Sequence, residues 1–248
     1  MEDPAKLYLD LMKRILINLI YEDPNVSLKH LPRFNRTLRV HGRDWPREAH
    51  TMIGLKRLEN IEHCAIDVLS KDIQGDFIET GVWRGGATIF MRAILKALND
   101  VTRKVWVADS FKGLPRPNPK KYPNDSGDHH HKYKTLAVPL KTVKSNFEKY
   151  GLLDNQVQFL EGWFSETLPL APIQSLAILR LDGDMYESTI DALNHLYPKV
   201  CVGGYVIVDD YQVIKGCKRA VDDYRQAHGI CENIVEVDWA GVYWQRQL

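Results

Sequence analysis

From Lys6 to Ile20 the apolar residues Leu7, Leu11, Ile15 and Leu19 return at helical spacing and predict a helix with one apolar face, stopped by Tyr21-Glu22-Asp23-Pro24. The stretch from Asn25 to His50 is rich in Arg, His and Pro and has little periodicity; Met52, Leu55, Leu58, Ile61 and Ile66 then predict a second helix over 51–70. Beyond it, short apolar runs alternate with helical segments: strands over 76–80, 104–108, 157–160, 176–181 and 205–208, helices over 87–98, 140–150, 188–196 and 216–227. Such alternation implies an α/β fold, a mostly parallel sheet with right-handed crossovers and helices on both faces. Two last runs, 234–237 and 242–245, flank Ala240-Gly241 and can be joined only as an antiparallel hairpin. One segment breaks the rhythm: 113–135 holds Pro115, Pro117, Pro119, Pro123, several lysines and His129-His130-His131. A long insertion after the second strand leaves the sheet at its ligand-binding edge, so it is expected to act as a lid.

Composition narrows the partners. The 248 residues suffice for one large domain with additions, here an N-terminal helical extension over 1–72 and a catalytic domain over 73–248. With 33 Lys+Arg against 32 Asp+Glu, no global field favours nucleic acid or an anionic membrane. Cys64, Cys201, Cys217 and Cys231 are scattered, without metal or disulfide spacing, and no apolar run reaches membrane-spanning length. A cytoplasmic protein with reduced thiols is the expectation. Arg33, Arg36, Arg39, Arg43 and Arg47 with His30 and His41 form a basic stretch, but Phe34, Leu38, Val40 and Trp45 are interleaved with it. That mixture suits a subunit contact or a pocket wall better than RNA.

Chemistry concentrates where strands end. The runs Ile178–Leu181 and Tyr205–Val208 stop in Asp182-Gly183-Asp184 and Asp209-Asp210. Parallel strands that end in acids crowd carboxylates into one crevice, where they repel each other unless a cation or shared protons intervene. The plainer alternative is that Asp209 and Asp210 cap a helix or pair with Lys215 and Lys218. Asp184 reads as a cap for the helix from Tyr186 onward, or as a fourth acid in the cleft. Upstream, Glu79-Thr80-Gly81-Val82-Trp83-Arg84-Gly85-Gly86 is a strand running into a glycine-rich turn that opens a helix, without the G-x-G-x-x-G of nicotinamide enzymes. Three adjacent histidines in the insertion cannot all point one way, so one or two of them reach the site.

The glycine-rich turn resembles motif I of class I S-adenosylmethionine-dependent methyltransferases, with Asp109 placed to accept the ribose hydroxyls. The resemblance becomes specific with Asp109-Ser110-Phe111-Lys112-Gly113-Leu114-Pro115, Glu161-Gly162-Trp163-Phe164, Asp182-Gly183-Asp184-Met185-Tyr186-Glu187-Ser188-Thr189 and Gly203-Gly204-Tyr205-Val206-Ile207-Val208-Asp209-Asp210-Tyr211. Together these resemble the macrocin/mycinamicin O-methyltransferase family over nearly the whole chain. That resemblance implies a Rossmann-like sheet and methylation of a deoxysugar hydroxyl on a glycosylated natural product, a small-molecule acceptor. It implies a donor site of Glu79, Thr80, Gly81, Asp109, Ser110, Phe111, Trp163 and Asp182, with Thr51 and Met52 brought over it by the N-terminal region. It further implies magnesium or another hard divalent cation on Asp182, Asp209 and Asp210, with Asp182 also the base, and a homo-oligomer, dimer or tetramer, formed through the N-terminal region. His129, His130 and Tyr211 are candidate acceptor contacts, and Tyr186 a candidate aromatic wall for the donor. A catechol-type acceptor would use the same chelation. A catalytically silent cofactor-binding protein would keep the fold alone.

Overall fold

Successive strand residues point to opposite faces, and in β1 (Asp76–Thr80) Phe77 and Ile78 are both fully buried, in different apolar clusters. Such a strand must lie in a sheet covered on both sides. The computed structural model, which describes residues 3–26 and 32–247, shows that sheet. Its further strands are β2 (Val105–Asp109), β3 (Val157–Glu161), β4 (Leu176–Leu181), β5 (Val200–Val208), β6 (Val235–Glu236) and β7 (Val242–Gln245). The order is β3-β2-β1-β4-β5-β7-β6; the first five run parallel, and β7 is antiparallel to both β5 and β6.

The helices are α1 (Pro4–Leu16), α2 (Arg36–Val40), α3 (Gly54–Ser70), α4 (Gly86–Ala97), α5 (Leu140–Lys149), α6 (Phe164–Thr167), α7 (Tyr186–Leu196) and α8 (Lys215–Ala227). Apolar residues of α1, α3, α4 and α5 form one cluster with one face of the sheet, and those of α7 and α8 form the second with the other. The N-terminal extension therefore shares its core with the sheet. Among the described residues no helix is long and apolar enough to cross a membrane. Cys64 and Cys217 are buried, Cys201 half-buried and Cys231 exposed, all as free thiols.

Elements differ from the sequence expectation where side chains override periodicity. Helix α1 stops at Leu16 rather than Ile20 because Asn18 turns left-handed (φ 53°), with Asn18 N–H bonding Ile15 O and Leu19 N–H bonding Arg14 O. The aperiodic stretch 25–50 contains α2, capped by Asn35 Oδ1 on the Leu38 N–H at 3.1 Å. Arg39, 1% exposed, ties this stretch together by donating to Asp23, Asp44 and the Ile17 carbonyl. His30 lies outside the described residues. Strand β5 begins at Val200 rather than 205, and the insertion holds three short 3-10 turns, Pro123–Asp125, His130–Lys132 and Lys134–Leu136.

From β1 the chain runs outward to β2 and β3 and returns to β4 on the other side of β1. The carboxyl ends of β1 and β4 thus flank the point where the strand order reverses, and a crevice opens there. The insertion crosses that crevice and is fastened on both sides. Asp125 accepts the Tyr186 and Glu187 N–H groups at 2.7 and 2.9 Å, while Trp83 Nε1 donates to Thr135 O at 2.8 Å and Trp45 meets Tyr133 edge-on.

Candidate functional site

A cavity of about 860 Å3 fills the crevice, walled by the ends of β1, β2, β4 and β5, by the insertion, and by Leu38, Arg43 and Trp45 of the N-terminal region. The basic stretch thus supplies pocket wall. At the β1 end, Gly81 is left-handed (φ 87°) and a Cβ there would run into the carbonyl oxygen of Asp182. Glycine lets the β1 turn lie directly against the end of β4. Asp109 closes the neighbouring strand: its two oxygens accept the Val82 and Phe111 N–H groups at 2.8 and 2.7 Å. Burial pushes its carboxyl up while those backbone donors pull it down. The carboxylate is thus fixed by the backbone at the wall of the cavity, where an acid can accept a diol.

Glu79, Asp182 and Asp209 converge on one guanidinium. Arg180, 0% exposed near the carboxyl end of β4, donates to Asp182 at 2.7 Å and also bonds Glu79 and Asp209. Arg57 of α3 bonds Asp209 from the other side and reaches Asp238 at 3.1 Å. Carboxylate oxygens of Asp182, Asp209 and Asp210 all lie within 4.8 Å of one another. Adding Asp184 and counting Asp238, six carboxylates face two guanidiniums, leaving four negative charges uncompensated when all are ionised. Burial, then the neighbouring acids, push Asp182 and Asp210 up and Asp184 to about 7. Burial, helped by Asp182 and Asp209, outweighs Arg180 and lifts Glu79 to about 8. Such a cluster calls for added positive charge.

Two buried carboxylate oxygens of the cluster lack a hydrogen-bond partner. Asp210 Oδ2 is buried with no hydrogen-bond partner, beside an all-oxygen set suited to a hard cation. Glu79 Oε2 is buried and unpartnered at the end of β1, on a residue that lines the same cavity, and is fit to accept from an ammonium. The acids are not helix caps or lysine pairs. Helix α8 starts after Ile214 without a side-chain cap, and Lys218 pairs with Asp222 at 3.2 Å.

Of the residues expected at the site, Glu79, Gly81, Asp109, Ser110, Trp163, Asp182, Asp209, Asp210, Thr51, Met52 and His130 line this cavity. Thr80, Phe111, His129 and Tyr211 do not. Thr80 points its hydroxyl along the sheet to the Arg180 carbonyl, and Phe111 packs on Phe159 in the core. Tyr211 is turned to α8, where it donates to Asp222 and accepts from Lys218, and Tyr186 likewise donates to Asp223. Asp184 does not cap α7: Asp125 of the insertion does, and Asp184, left-handed at φ 59°, is a cavity acid. Sequence reasoning missed Arg180 and Arg57. A charged residue inside the apolar run Leu176–Leu181 was the available signal for the first; nothing local marked the second.

A family model described as macrocin O-methyltransferase (TylF) matches residues 5–246. A tetracenomycin-C rhamnosyl 4'-O-methyltransferase of Streptomyces olivaceus is 52% identical over 246 residues, 98% of this chain and 94% of that protein. The mycinamicin III 3''-O-methyltransferase of Micromonospora griseorubida is 50% identical over 247 residues, 98% of this chain and 97% of that protein. The solved structure of the O-methyltransferase NovP superimposes with a TM-score of 0.94 at 53% identity, covering 98% of this chain and 100% of that one. Matches of this extent, over a sheet whose switch point holds a backbone-fixed acid beside an acidic cluster, place the chain in the macrocin O-methyltransferase family, as an O-methyltransferase.

Proposed function

We propose that the protein methylates a hydroxyl of a deoxysugar on a glycosylated natural product, using S-adenosylmethionine and a divalent cation, magnesium by preference. The observation that carries this reading is the convergence, in one cavity, of the fixed Asp109 and orphaned Glu79 with the Asp182, Asp209 and Asp210 cluster. The named activities of the relatives, rhamnosyl and mycinamicin O-methylation, support the sugar. When bound, the donor supplies an electrophilic methyl group on a sulfonium, and the cation lowers the pKa of the hydroxyl it touches.

The chain's own residues do the rest. Asp109 and Glu79 would hold the two ends of the donor, and Gly81 lets the β1 turn lie against the end of β4 beside them. Arg180 and Arg57 hold Asp182 and Asp209 in place, the acids that would hold a cation and with it position the acceptor. Thr51, Met52, Trp45 and the insertion close the cavity against water. Asp182 would serve as ligand and as base, the two roles that the resemblance implies: burial and Asp209 raise its carboxyl despite the bond to Arg180. Leu7, Leu11, Ile20 and Tyr21 lie exposed on and after α1, an apolar surface that supports a homo-oligomer through the N-terminal region.

The test is methyl transfer from labelled donor to a panel of glycosides and catechols, with and without a chelator. Turnover of deoxysugar glycosides that stops on chelation and returns with magnesium is the expected result. Turnover of catechols alone overturns the sugar assignment, and chelator-resistant turnover overturns the metal.

A further inference from the structure

We propose that Asp238, at the rim of the cavity, is a positioning residue for the cation site: through Arg57 it sets the carboxylate of Asp209. The inference rests on the proposed cation at Asp182, Asp209 and Asp210, and extends that site to a hairpin turn beyond its ligands.

Arg57 leaves α3 as a buried side chain, 5% exposed, and its three nitrogens bond in three directions. Nη1 donates to Asp209 Oδ2, Nε to Asp238 Oδ2 at 3.1 Å, and Nη2 to the Gly42 carbonyl at 3.2 Å. Arg180 bonds the other oxygen of Asp209, so the sheet orients one side of that carboxylate and the N-terminal extension the other. A guanidinium is a rigid planar fork, and whatever fixes its Nε therefore fixes where Nη1 points. Asp238 is that partner.

Charge alone does not account for Arg57 at this place, because a cation beside a cation site repels the incoming ion. Asp238 removes that objection: its own charge matches the guanidinium from the side away from Asp209, which leaves Asp209 negative for the ion. The surroundings are shaped around the same side chain. A Cβ at Gly42 would collide with Arg57 Nη2, and one at Gly241 would press on Arg57 Cδ at 3.2 Å. Asp238 is itself held, since its Oδ1 accepts the Ala240 and Gly241 N–H groups, both at 2.9 Å, in the turn between β6 and β7. Trp239 beside it lines the cavity and is pinned by its indole N–H on the His41 carbonyl at 2.7 Å. One oxygen of Asp238 thus builds the rim, and the other holds the fork that orients Asp209.

The test is magnesium titration calorimetry and steady-state kinetics on the full-length protein, comparing wild type, Asp238→Asn, Arg57→Lys and the double variant. Asn keeps the Oδ1 acceptor for the turn and gives up the bond and charge that face Arg57; Lys keeps the charge of Arg57 without its fork. Changing an outer-shell partner of a metal ligand costs about 10- to 100-fold in metal affinity or activity, so each single variant is expected to weaken magnesium by a factor in that range. The loss of kcat should shrink at saturating magnesium, with the KM for the methyl donor unchanged. Because Asp238 acts through Arg57, the double variant should bind magnesium no more weakly than Arg57→Lys.

An Asp238→Asn protein that binds magnesium within about threefold of wild type overturns the proposal whatever its melting temperature, since a turn that only stabilises the fold moves the melting point and not the affinity. So do losses that add in the double variant, which mark two independent effects. Should Arg57→Lys not fold, Asp238→Asn decides by the same threshold. A wild type that binds no magnesium overturns the cation reading itself, which separates the two failures.

Discussion

Arg180→Met tests the central electrostatic argument, because methionine fits the volume and removes only the charge and its donors. Arg180 is fully buried, and its guanidinium bonds Glu79, Asp182 and Asp209 at once. Removing one partner of a buried ion pair costs roughly 3–5 kcal/mol, since the other charge stays behind uncompensated. Three carboxylates stay behind here, partly relieved by Arg57 on Asp209, so the upper half of that range is expected. For a chain of this size each kcal/mol is about 2–4 °C, giving a fall in melting temperature of roughly 10–20 °C. Arg180→Lys keeps the charge but cannot fork to three acids, so it should melt between the two. The assay is thermal unfolding at neutral pH with and without magnesium. The cation should raise the melting point of Arg180→Met more than that of wild type, because it meets a more negative cluster. A variant that melts within about 2 °C of wild type, less than the shift expected for a single kcal/mol, would show that the acids are already neutral or hydrated. The charge-balance argument for the cation would then fall.

Asp125→Ala removes both acceptors from the start of α7 and should cost about 1–2 kcal/mol, with the 113–135 segment becoming the first site of limited proteolysis. An unchanged cleavage pattern would mean the insertion is held elsewhere. Asp109→Ala should raise the KM for the methyl donor tenfold or more, by the roughly 1.5–3 kcal/mol of lost charged hydrogen bonds, while leaving magnesium affinity untouched; an equal loss of both would mean that one acid serves both sites. His50, bonded through Nδ1 to the Tyr150 hydroxyl at 2.6 Å, is driven down to about 4 by burial. A histidine depressed in the folded state contributes stability that is present above its unfolded value near 6.5 and is lost as pH falls toward 4. Denaturant unfolding of wild type and His50→Gln across that window should show a steeper acid loss in wild type, and parallel curves would refute the assignment.

What was legible in the chain divides by distance. Most of the parallel strands were readable because each is a local run buried on both faces, as at Leu176–Leu181, and because the glycine at 81 and the acids at 109, 182, 209 and 210 end such runs. Position at a strand's carboxyl end is enough to bring them together, so Glu79, Asp109 and the acidic cluster could be placed from sequence. Direction is another matter. Phe111, Thr80 and Tyr211 sit in the same strand-end turns yet face the core, the sheet and α8, since neighbouring side chains in a turn point different ways.

Long-range partners carried no local mark at all. Arg57 lies 152 residues from Asp209 and 181 from Asp238, and Asp125 lies 61 from the Tyr186 amide it caps. The misreading of Asp184 follows from this: a capping acid was sought just before α7, where Asp184 stands, but the cap arrives from the insertion. That exchange matters chemically, because a local cap would have taken Asp184 out of the cleft. With Asp125 in that place, the helix is capped, the insertion is fastened beside the acids, and Asp184 is left facing the cavity. One distant carboxylate thereby determines both how the insertion is held at the site and which acids face the cavity.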